Sequence, residues 1–265
     1  MRLFNLLFTF TILSIFCLSL NAGVYIESTN RFSDDKVETA KIYVEKDRIR
    51  AESSGIEENM ITIFREDKGL FWVVNLDKKT YNELTKEDLE KLKKQMDDAF
   101  KQMEEQFKNM PPEQRKMMEK MMPEQARKAM DRPIKAEYKK KSSGEKVNKW
   151  TCNHYEGYVE GKKTCDLWTT DFKQLGIDAS DLAGLNAMGK FFEVITKDIE
   201  ELYMIGSEYY EKEGGFSGMP VKIIDYENGS VVQTMEMKQI DSKSFDAAIF
   251  ELPSGLKKEK GSWGE

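Results

Sequence analysis

Three residues between positions 152 and 166 have the types that nucleophilic catalysis uses. Cys152 and His154 lie two residues apart, so both side chains point to the same face of a strand, and Asp166 follows later in the chain. A catalytic cysteine needs an adjacent base and a third group that orients the base. A disulfide to Cys165 would consume the thiol of Cys152. We therefore expect no catalytic residues and no enzymatic activity, and we expect His154 to be a partly exposed strand residue.

Cys152 and Cys165 are the two cysteines beyond the N-terminal segment, and an even pair in an exported protein is typical of a disulfide. The surrounding sequence predicts a hairpin, and this complicates the pairing. A tight turn centred on Glu160 and Gly161 places Cys165 opposite residue 156, too far from Cys152 for a bond. A disulfide therefore requires a wider loop or a different strand pairing.

Methionine offers a second kind of sulfur chemistry, because eight of the fifteen methionines lie between Thr85 and Asp131. Thioether sulfur can select Cu(I). The residues of a copper site in this chain would be Met117, Met118, Met121, Met122 and His154. Copper-binding methionine tracts usually carry histidine or cysteine nearby, and the only histidine lies outside this stretch. Metal binding is therefore the weaker interpretation, and we expect no cofactor.

The same stretch has the periodicity of an amphipathic helix. Apolar residues three or four positions apart fall on one helical face: Leu89, Leu92, Met96, Ala99, Met103, Phe107 and Met110. Thr85 with Asp88 predicts the N-terminal cap, and Pro111-Pro112 ends or kinks the helix. Acidic and basic residues are equal in number from position 86 to 131, so the polar face has little attraction for phosphate or anionic lipid.

Two uses of this apolar face compete with copper binding. It can pack on the body of the protein as a helical hairpin, since methionine fills irregular gaps. Alternatively, it forms a deformable surface that meets a lipid, an acyl chain or a partner protein. On that second interpretation the candidate ligand-binding residues are Met96, Met103, Phe107, Met110, Met117, Met118, Met121 and Met122.

The remaining chain predicts an α+β domain. Residues 24–84 have the strand and turn composition of a β-meander, and residues 136–148 are expected to form a charged connecting loop. A hairpin follows around the cysteines, and then a helical region from 173 to 207 that Asp178 or Ser180 could cap. A second hairpin is expected around Asn228-Gly229, and a short helical turn between 242 and 251.

The N-terminal 22 residues have the pattern of a secretory signal peptide: one basic residue, a long apolar run, and a small residue at position 22. An uncleaved membrane anchor is the alternative. We expect a domain over residues 23–258 with a Met-rich helical insertion at about 85–131, and a disordered tail over 259–265. The formal net charge of −6 argues against a nucleic-acid partner.

Several segments together resemble an uncharacterised family of exported bacterial proteins related to the lipoprotein-localisation (LolA-like) carriers. They are DRIRAES, GLFWVVNLDKKTYNEL, MPPEQRKMMEKMMPEQ, the WTCNHY hairpin and FDAAIFELPSGLK. The resemblance implies a strongly curved antiparallel sheet, a half-open barrel, with helices over its concave face. Carriers of this fold shelter acyl chains between sheet and helices. This chain departs from them in its longer methionine insert and in its cysteine pair.

These features predict a non-enzymatic binding protein of the periplasm or envelope. Its ligand would be a lipid, an acyl chain or a hydrophobic segment of a lipoprotein or other envelope protein, held between the sheet and the Met-rich helices. The alternatives are a Cu(I)-handling protein and an oligomeric scaffold in which the heptad-spaced methionine face pairs with a second copy. Peripheral contact with a membrane is compatible with the first expectation.

Overall fold

A computed structural model of the chain describes residues 23–56, 58–108, 110–111, 113, 136–196 and 215–259. The predicted signal peptide and most of the methionine-rich insertion beyond residue 108 lie outside the described residues. Among the residues described, no helix combines the length and the apolar character needed to cross a bilayer.

Twelve strands contain most of the described residues. In chain order they are β1 (Gly23–Phe32), β2 (Val37–Val44), β3 (Arg48–Ser54), β4 (Met60–Arg65), β5 (Leu70–Asn75), β6 (Thr80–Thr85), β7 (Ala136–Val147), β8 (Trp150–Val159), β9 (Lys162–Thr170), β10 (Met219–Glu227), β11 (Ser230–Lys243) and β12 (Lys257–Lys258).

All twelve strands belong to one large, curved and unclosed sheet, in the order β12-β6-β5-β4-β3-β2-β1-β11-β10-β9-β8-β7. Neighbouring strands are antiparallel except β12, which runs parallel to β6. The meander predicted for residues 24–84 is confirmed as β1 to β6. The sheet is mixed, and the described structure is mostly β. Both features agree broadly with the expected half-open barrel.

The described residues contain three helices and three 3-10 turns. The helices are α1 (Lys86–Lys108), α2 (Phe172–Leu175) and α3 (Ala183–Thr196), with 3-10 turns at Glu66–Lys68, Ala179–Leu182 and Ala247–Phe250. The predicted cap of α1 is present, because the Asp88 N–H donates to Thr85 Oγ1 at 3.2 Å and the Thr85 N–H donates to Asp88 Oδ2 at 3.1 Å. Asp178 caps the 3-10 turn that leads into α3.

The prediction of a connecting loop at residues 136–148 is wrong, because this segment forms β7 at one edge of the sheet. Its lysine- and serine-rich composition reflects exposure at an edge rather than the absence of a strand. Two bulges, around Lys141 and Gly144, interrupt its pairing with β8. Charged side chains and bulges are common on edge strands because they discourage pairing with other chains.

The sheet has two covered faces. The face that contacts α3, here called the helix face, carries most of the core, including Val24, Phe64 and Leu84. On the opposite face, the C-terminal segment 244–259 places Leu252 and Leu256 against a second buried cluster: Ile61, Ile63, Trp72 and Val74. A strand covered on both faces explains the continuous apolar run of β5.

Candidate functional site

The helix face of β1 to β6 is organised in three cross-strand rows, set by continuous antiparallel register. The apolar row consists of Val24, Val44, Ile49, Phe64, Phe71 and Leu84. The middle row consists of Ile26, Ile42, Ala51, Thr62, Val73 and Asn82. The outer row consists of Ser28, Ala40, Ser53, Met60, Asn75 and Thr80.

Helix α3 packs on the apolar row. The rings of Phe191 and Phe64 lie 5.5 Å apart between centroids, and those of Phe192 and Phe71 lie 5.0 Å apart. At the start of α3, a Cβ on Gly184 would lie 2.2 Å from the backbone oxygen of Glu45. Glycine at this position therefore permits the close approach of the helix to the end of β2.

The polar residues Asn186, Lys190 and Glu193 of α3 are three or four positions apart and exposed, so they form one polar face of an amphipathic helix. Here Phe191 is buried, but several apolar side chains are only half-buried: Leu185, Ala187, Met188, Phe192, Val194 and Ile195. Most of these side chains pack partly against the core, and each leaves part of its surface accessible.

The middle and outer rows are built from smaller side chains than the apolar row. Ala40, Ala51 and Ser53 lie near the centre of these rows and are half-buried, as are Thr62 and Val73. Small side chains leave room above the sheet that large ones would fill. We call the middle and outer rows the trough; α3 lies beside them on the adjacent apolar row, and the side chains of both rows are buried or half-buried.

The methionines that the sequence singled out do not line this trough in the described part of the chain. Met96 is 39% exposed, and the described α1 side chains from Lys94 to Ala99 are exposed. Met110 is half-buried beside an open depression that Gln102, Glu105 and Gln106 also line. Met103 and Phe107 belong to α1, but their side chains, like residues Met117, Met118, Met121 and Met122, lie outside the described residues.

The predicted disulfide is not formed, since Cys152 and Cys165 are both free cysteines. The β8–β9 hairpin pairs Cys165 with Gly157, five residues from Cys152. Strand alternation also puts the two thiols on opposite faces of the sheet. Burial raises the pKa of the Cys152 thiol, and burial, aided by the Asp225 carboxylate, raises the pKa of Cys165 to about 11. Both thiols are therefore poor nucleophiles.

A polar cluster surrounds His154, which is 8% exposed and not the partly exposed residue that the sequence suggested. His154 Nε2 lies 2.8 Å from Asp166 Oδ1, and Nδ1 lies 3.2 Å from Glu145 Oε1. The ring stacks on Trp168 at 4.2 Å between centroids. Trp168 Nε1 donates to Glu145 Oε2 at 2.6 Å, which ties edge strand β7 to β8 and β9.

Lysine and tyrosine side chains complete this polar cluster. Lys163 Nζ lies 2.8 Å from Asp166 Oδ1 and 3.0 Å from Glu156 Oε1. Tyr226 donates to Asp166 at 2.6 Å, and Lys141 donates to Glu156 at 2.6 Å. The charges of opposite sign therefore lie in contact with one another across β7 to β10.

The acids of the polar cluster are held in their charged form. Burial raises the pKa of Asp166, but hydrogen bonds from Lys163, Tyr226 and His154 outweigh it and leave that pKa below its usual value. Hydrogen bonds, first from Lys141 and then from Lys163, lower the pKa of Glu156 to about 2. The hydrogen bonds and ion pairs of the cluster therefore hold β7 to β10 together at this end of the sheet.

The arrangement is ill suited to catalysis or metal binding by His154. Both ring nitrogens lie within hydrogen-bond distance of carboxylate oxygens, Nδ1 near Glu145 and Nε2 near Asp166, so both are already occupied by protein groups. A catalytic base needs a free nitrogen for the substrate, and a metal ligand needs a free lone pair. Within the described residues, no group of three or more histidine, cysteine or acidic side chains could hold a metal ion.

Sequence reasoning missed both the trough and the polar cluster. The rows join residues from six strands, and their register follows from tertiary pairing. The small residues at the centre of the trough give no local signal, although alternation within β2 and β3 was visible. In the sequence, Glu145 and Lys163 of the polar cluster have the pattern of ordinary surface charges. Only the pairing of β7, β8 and β9 brings them close to His154.

Comparisons with known proteins give a family and a distant structural likeness. No curated protein matches this chain. A crystal structure of an uncharacterised conserved protein from Thermus thermophilus aligns with a TM-score of 0.44 and 8% identity, covering 91% of this chain and 92% of that one. The family model of a domain of unknown function, DUF4412, matches residues 90–256, which is more than half of the chain. The chain therefore belongs to the DUF4412 family.

Proposed function

We propose that this protein is a non-enzymatic binding protein of the bacterial envelope, exported to the periplasm, that holds a lipid or acyl chain in the trough on its helix face. The observation that carries this proposal is the line of half-buried apolar side chains on α3, including Leu185, Met188 and Phe192, beside a floor of small residues. Apolar surface of this kind gains free energy when a hydrophobic ligand removes it from water.

The proposed ligand lies along the middle and outer rows, with α3 as one wall. We take the helix face to be the concave face of the sheet. This placement corresponds to the LolA-like arrangement that the sequence resembles, in which helices over the concave face shelter acyl chains. In the same proposal Met96, Met103, Phe107, Met110 and the methionines from 117 to 122 form a deformable lid, because flexible thioether side chains adapt to varied apolar shapes.

The test is to fill the trough without changing the rest of the surface. Ala51→Trp places a large ring on the floor and should abolish binding of a fluorescent acyl probe, while circular dichroism shows the β-core unchanged. Ser54→Trp is the matched control, because Ser54 lies on the same strand, is exposed and points to the opposite face. Equal probe binding by both variants and the unmodified protein would contradict the proposal.

Native mass spectrometry of the protein, purified gently from its envelope fraction, identifies the occupant. We expect a stoichiometric lipid or acyl adduct that solvent extraction removes. A hydrophobic segment of an envelope protein would instead survive solvent extraction as a peptide. A mass without any adduct, together with no acyl-probe binding, would count against the trough as a ligand site.

A second candidate function, an oligomeric scaffold, is favoured by one observation. The described side chains of α1 from Lys94 to Ala99 are exposed, and Met96 is one of the exposed large apolar residues. Apolar residues at heptad spacing on a helix can pair with a second copy. Sedimentation of the full chain and of a variant lacking residues 88–130 tests this function: dimers lost on deletion support it, and a monomeric full chain excludes it.

A further inference from the structure

The trough changes character from one side to the other. At its β1 side the middle row begins with Ile26 and Ile42, and Ile26 pairs with buried Ile240 on β11. At its β6 side the two rows end in Asn82 and Thr80, which are both polar. The β1 end of the middle row is therefore apolar and continues into the core at Ile240, whereas the β6 ends of both rows are polar.

Strand β12 extends the polar end beyond β6. Lys257 pairs with Thr80 in parallel register, so its side chain lies on the helix face at the end of the outer row. The exposed Glu259 lies on the same face, where Asn82 Nδ2 donates to its Oε2 at 2.9 Å. Lys258, between them, points to the opposite face and donates to Glu83 at 2.6 Å.

The Glu259 carboxylate indicates what the polar end can bind. Hydrogen bonds, first from Thr80 and then from Asn82, lower the pKa of Glu259, so the group is held there as an anion. Two donors from β6 therefore face a carboxylate on an exposed side chain, with the Lys78 charge also favouring its anionic form, and Lys257 lies on the same face of the sheet. An exposed side chain can leave at little cost, because contacts between exposed groups contribute little to stability.

The width of the six strands sets the length of the ligand. Five spacings between neighbouring strands separate β1 from β6, which gives a span of about 24 Å. A chain that lies across the strands over this distance is a long, extended acyl chain.

We propose that the trough binds a single-chain amphiphile with a carboxylate head, such as a long-chain fatty acid. Its methyl end lies against Ile26 and Ile42, and its head replaces Glu259 on Thr80 and Asn82, beside Lys257. This proposal rests on the proposed function and adds to it the class of ligand and its direction. In the absence of ligand, Glu259 occupies the head position and acts as a competitor.

The experiment compares palmitate, octanoate and monopalmitin by displacement of a fluorescent acyl probe from the full chain. Palmitate should bind far more tightly than octanoate, since each additional buried methylene contributes about a fourfold gain in affinity. Glu259→Gln should strengthen palmitate binding, and Lys257→Gln should weaken it about two- to fivefold. Both variants should leave the affinity for the uncharged monopalmitin unchanged.

Lys258→Gln is the matched control, because this neighbouring lysine lies on the other face and should affect none of the three ligands. Palmitate and monopalmitin affinities that respond equally to Glu259→Gln and Lys257→Gln would overturn the head assignment. If Ala51→Trp still blocks binding of palmitate and of monopalmitin in that case, the proposed function stands without the head assignment. If none of the three ligands displaces the probe, both proposals are wrong.

Discussion

At the scale of single residues, Glu156 shows how the polar cluster stabilises the fold. Its carboxylate accepts hydrogen bonds from Lys141, Lys163 and Tyr158, on three neighbouring strands, and its pKa falls to about 2 as a result. An unfolded glutamate titrates near 4.3. Since the folded pKa is the lower one, Glu156 stabilises the fold fully above the unfolded pKa, and this contribution is lost as pH falls towards 2.

This difference in pKa predicts the acid sensitivity of the protein. Glu156→Gln should show a smaller decrease in the free energy of unfolding between pH 5 and pH 2 than the unmodified protein, because glutamine has no proton to gain. Urea unfolding at a series of pH values measures this decrease in the free energy of unfolding. Glu227→Gln is the control at an exposed carboxylate. Parallel pH profiles for Glu156→Gln and the unmodified protein would refute the assignment.

The two thiols provide a second prediction at the residue scale. Cys165 faces Gly157, and five residues of extended strand separate Gly157 from Cys152, about 17 Å along β8. A disulfide needs Cα atoms within about 7 Å. Under mild oxidation the intact mass should therefore show no two-hydrogen loss. Both thiols should react with a thiol reagent in denaturant, and slowly in the folded protein; a mass lower by two hydrogens would show that the hairpin register is different.

At the scale of elements, α3 depends on one glycine for its position. Gly184 lies where any Cβ would meet the Glu45 carbonyl oxygen and come within 3.3 Å of side-chain carbons of Ile49 and Val44. The backbone oxygen cannot move aside without disturbing the end of β2. The helix must therefore shift away from the sheet if the side chain grows, and the wall of the trough shifts with it.

Gly184→Ala should consequently lower the free energy of unfolding by about 1–3 kcal/mol, despite the better helix propensity of alanine. It should also weaken acyl-probe binding. Thermal unfolding and probe titration measure the two effects. Asn186→Ala is the control on the same helix, at an exposed position, and should be neutral or slightly stabilising. A Gly184→Ala variant as stable as the control would mean that α3 does not approach β2 so closely.

At the scale of the whole molecule, the C-terminal segment joins distant parts of the sheet. Phe250 is fully buried, and the Arg48 guanidinium lies 4.9 Å from its ring centroid. Arg65, which is buried, donates to the Phe250 carbonyl oxygen and forms ion pairs with Glu251 and Asp67. The segment therefore covers the face opposite α3 before β12 pairs with β6.

Phe250→Ala should lower the free energy of unfolding by about 3–5 kcal/mol, because it leaves a cavity under the segment and removes the ring beneath Arg48. Chemical denaturation measures this loss. Val231→Ala, at an exposed position on β11, is the control and should change stability by less than about 0.5 kcal/mol. A small effect of Phe250→Ala would show that the segment is not part of the folded core.

Local patterns were enough to predict many elements correctly. Asn228 and Gly229, with φ of 51° and 81°, form the tight turn that their sequence predicts between β10 and β11. The caps at Thr85 and Asp178 and the helical turn before Phe250 also follow from neighbouring residues. Each of these features depends on contacts within a few positions along the chain, so the sequence signal is direct.

The edge strand, the free thiols and the candidate site needed the tertiary structure. Strand β7 looks like a solvated loop because its polarity reflects its position at an edge. The burial of His154 depends on Glu145 and Asp166, which only strand pairing brings to it.

The sequence by itself determined the type of most long elements, with β7 as the exception, and many of the turns and caps between them. Tertiary structure alone decided which side chains share a row of the trough and which charges meet in the polar cluster. The reason is physical: local propensities act between neighbours in the chain, whereas register joins residues that are distant in sequence, and a shift of one position moves a side chain to the other face.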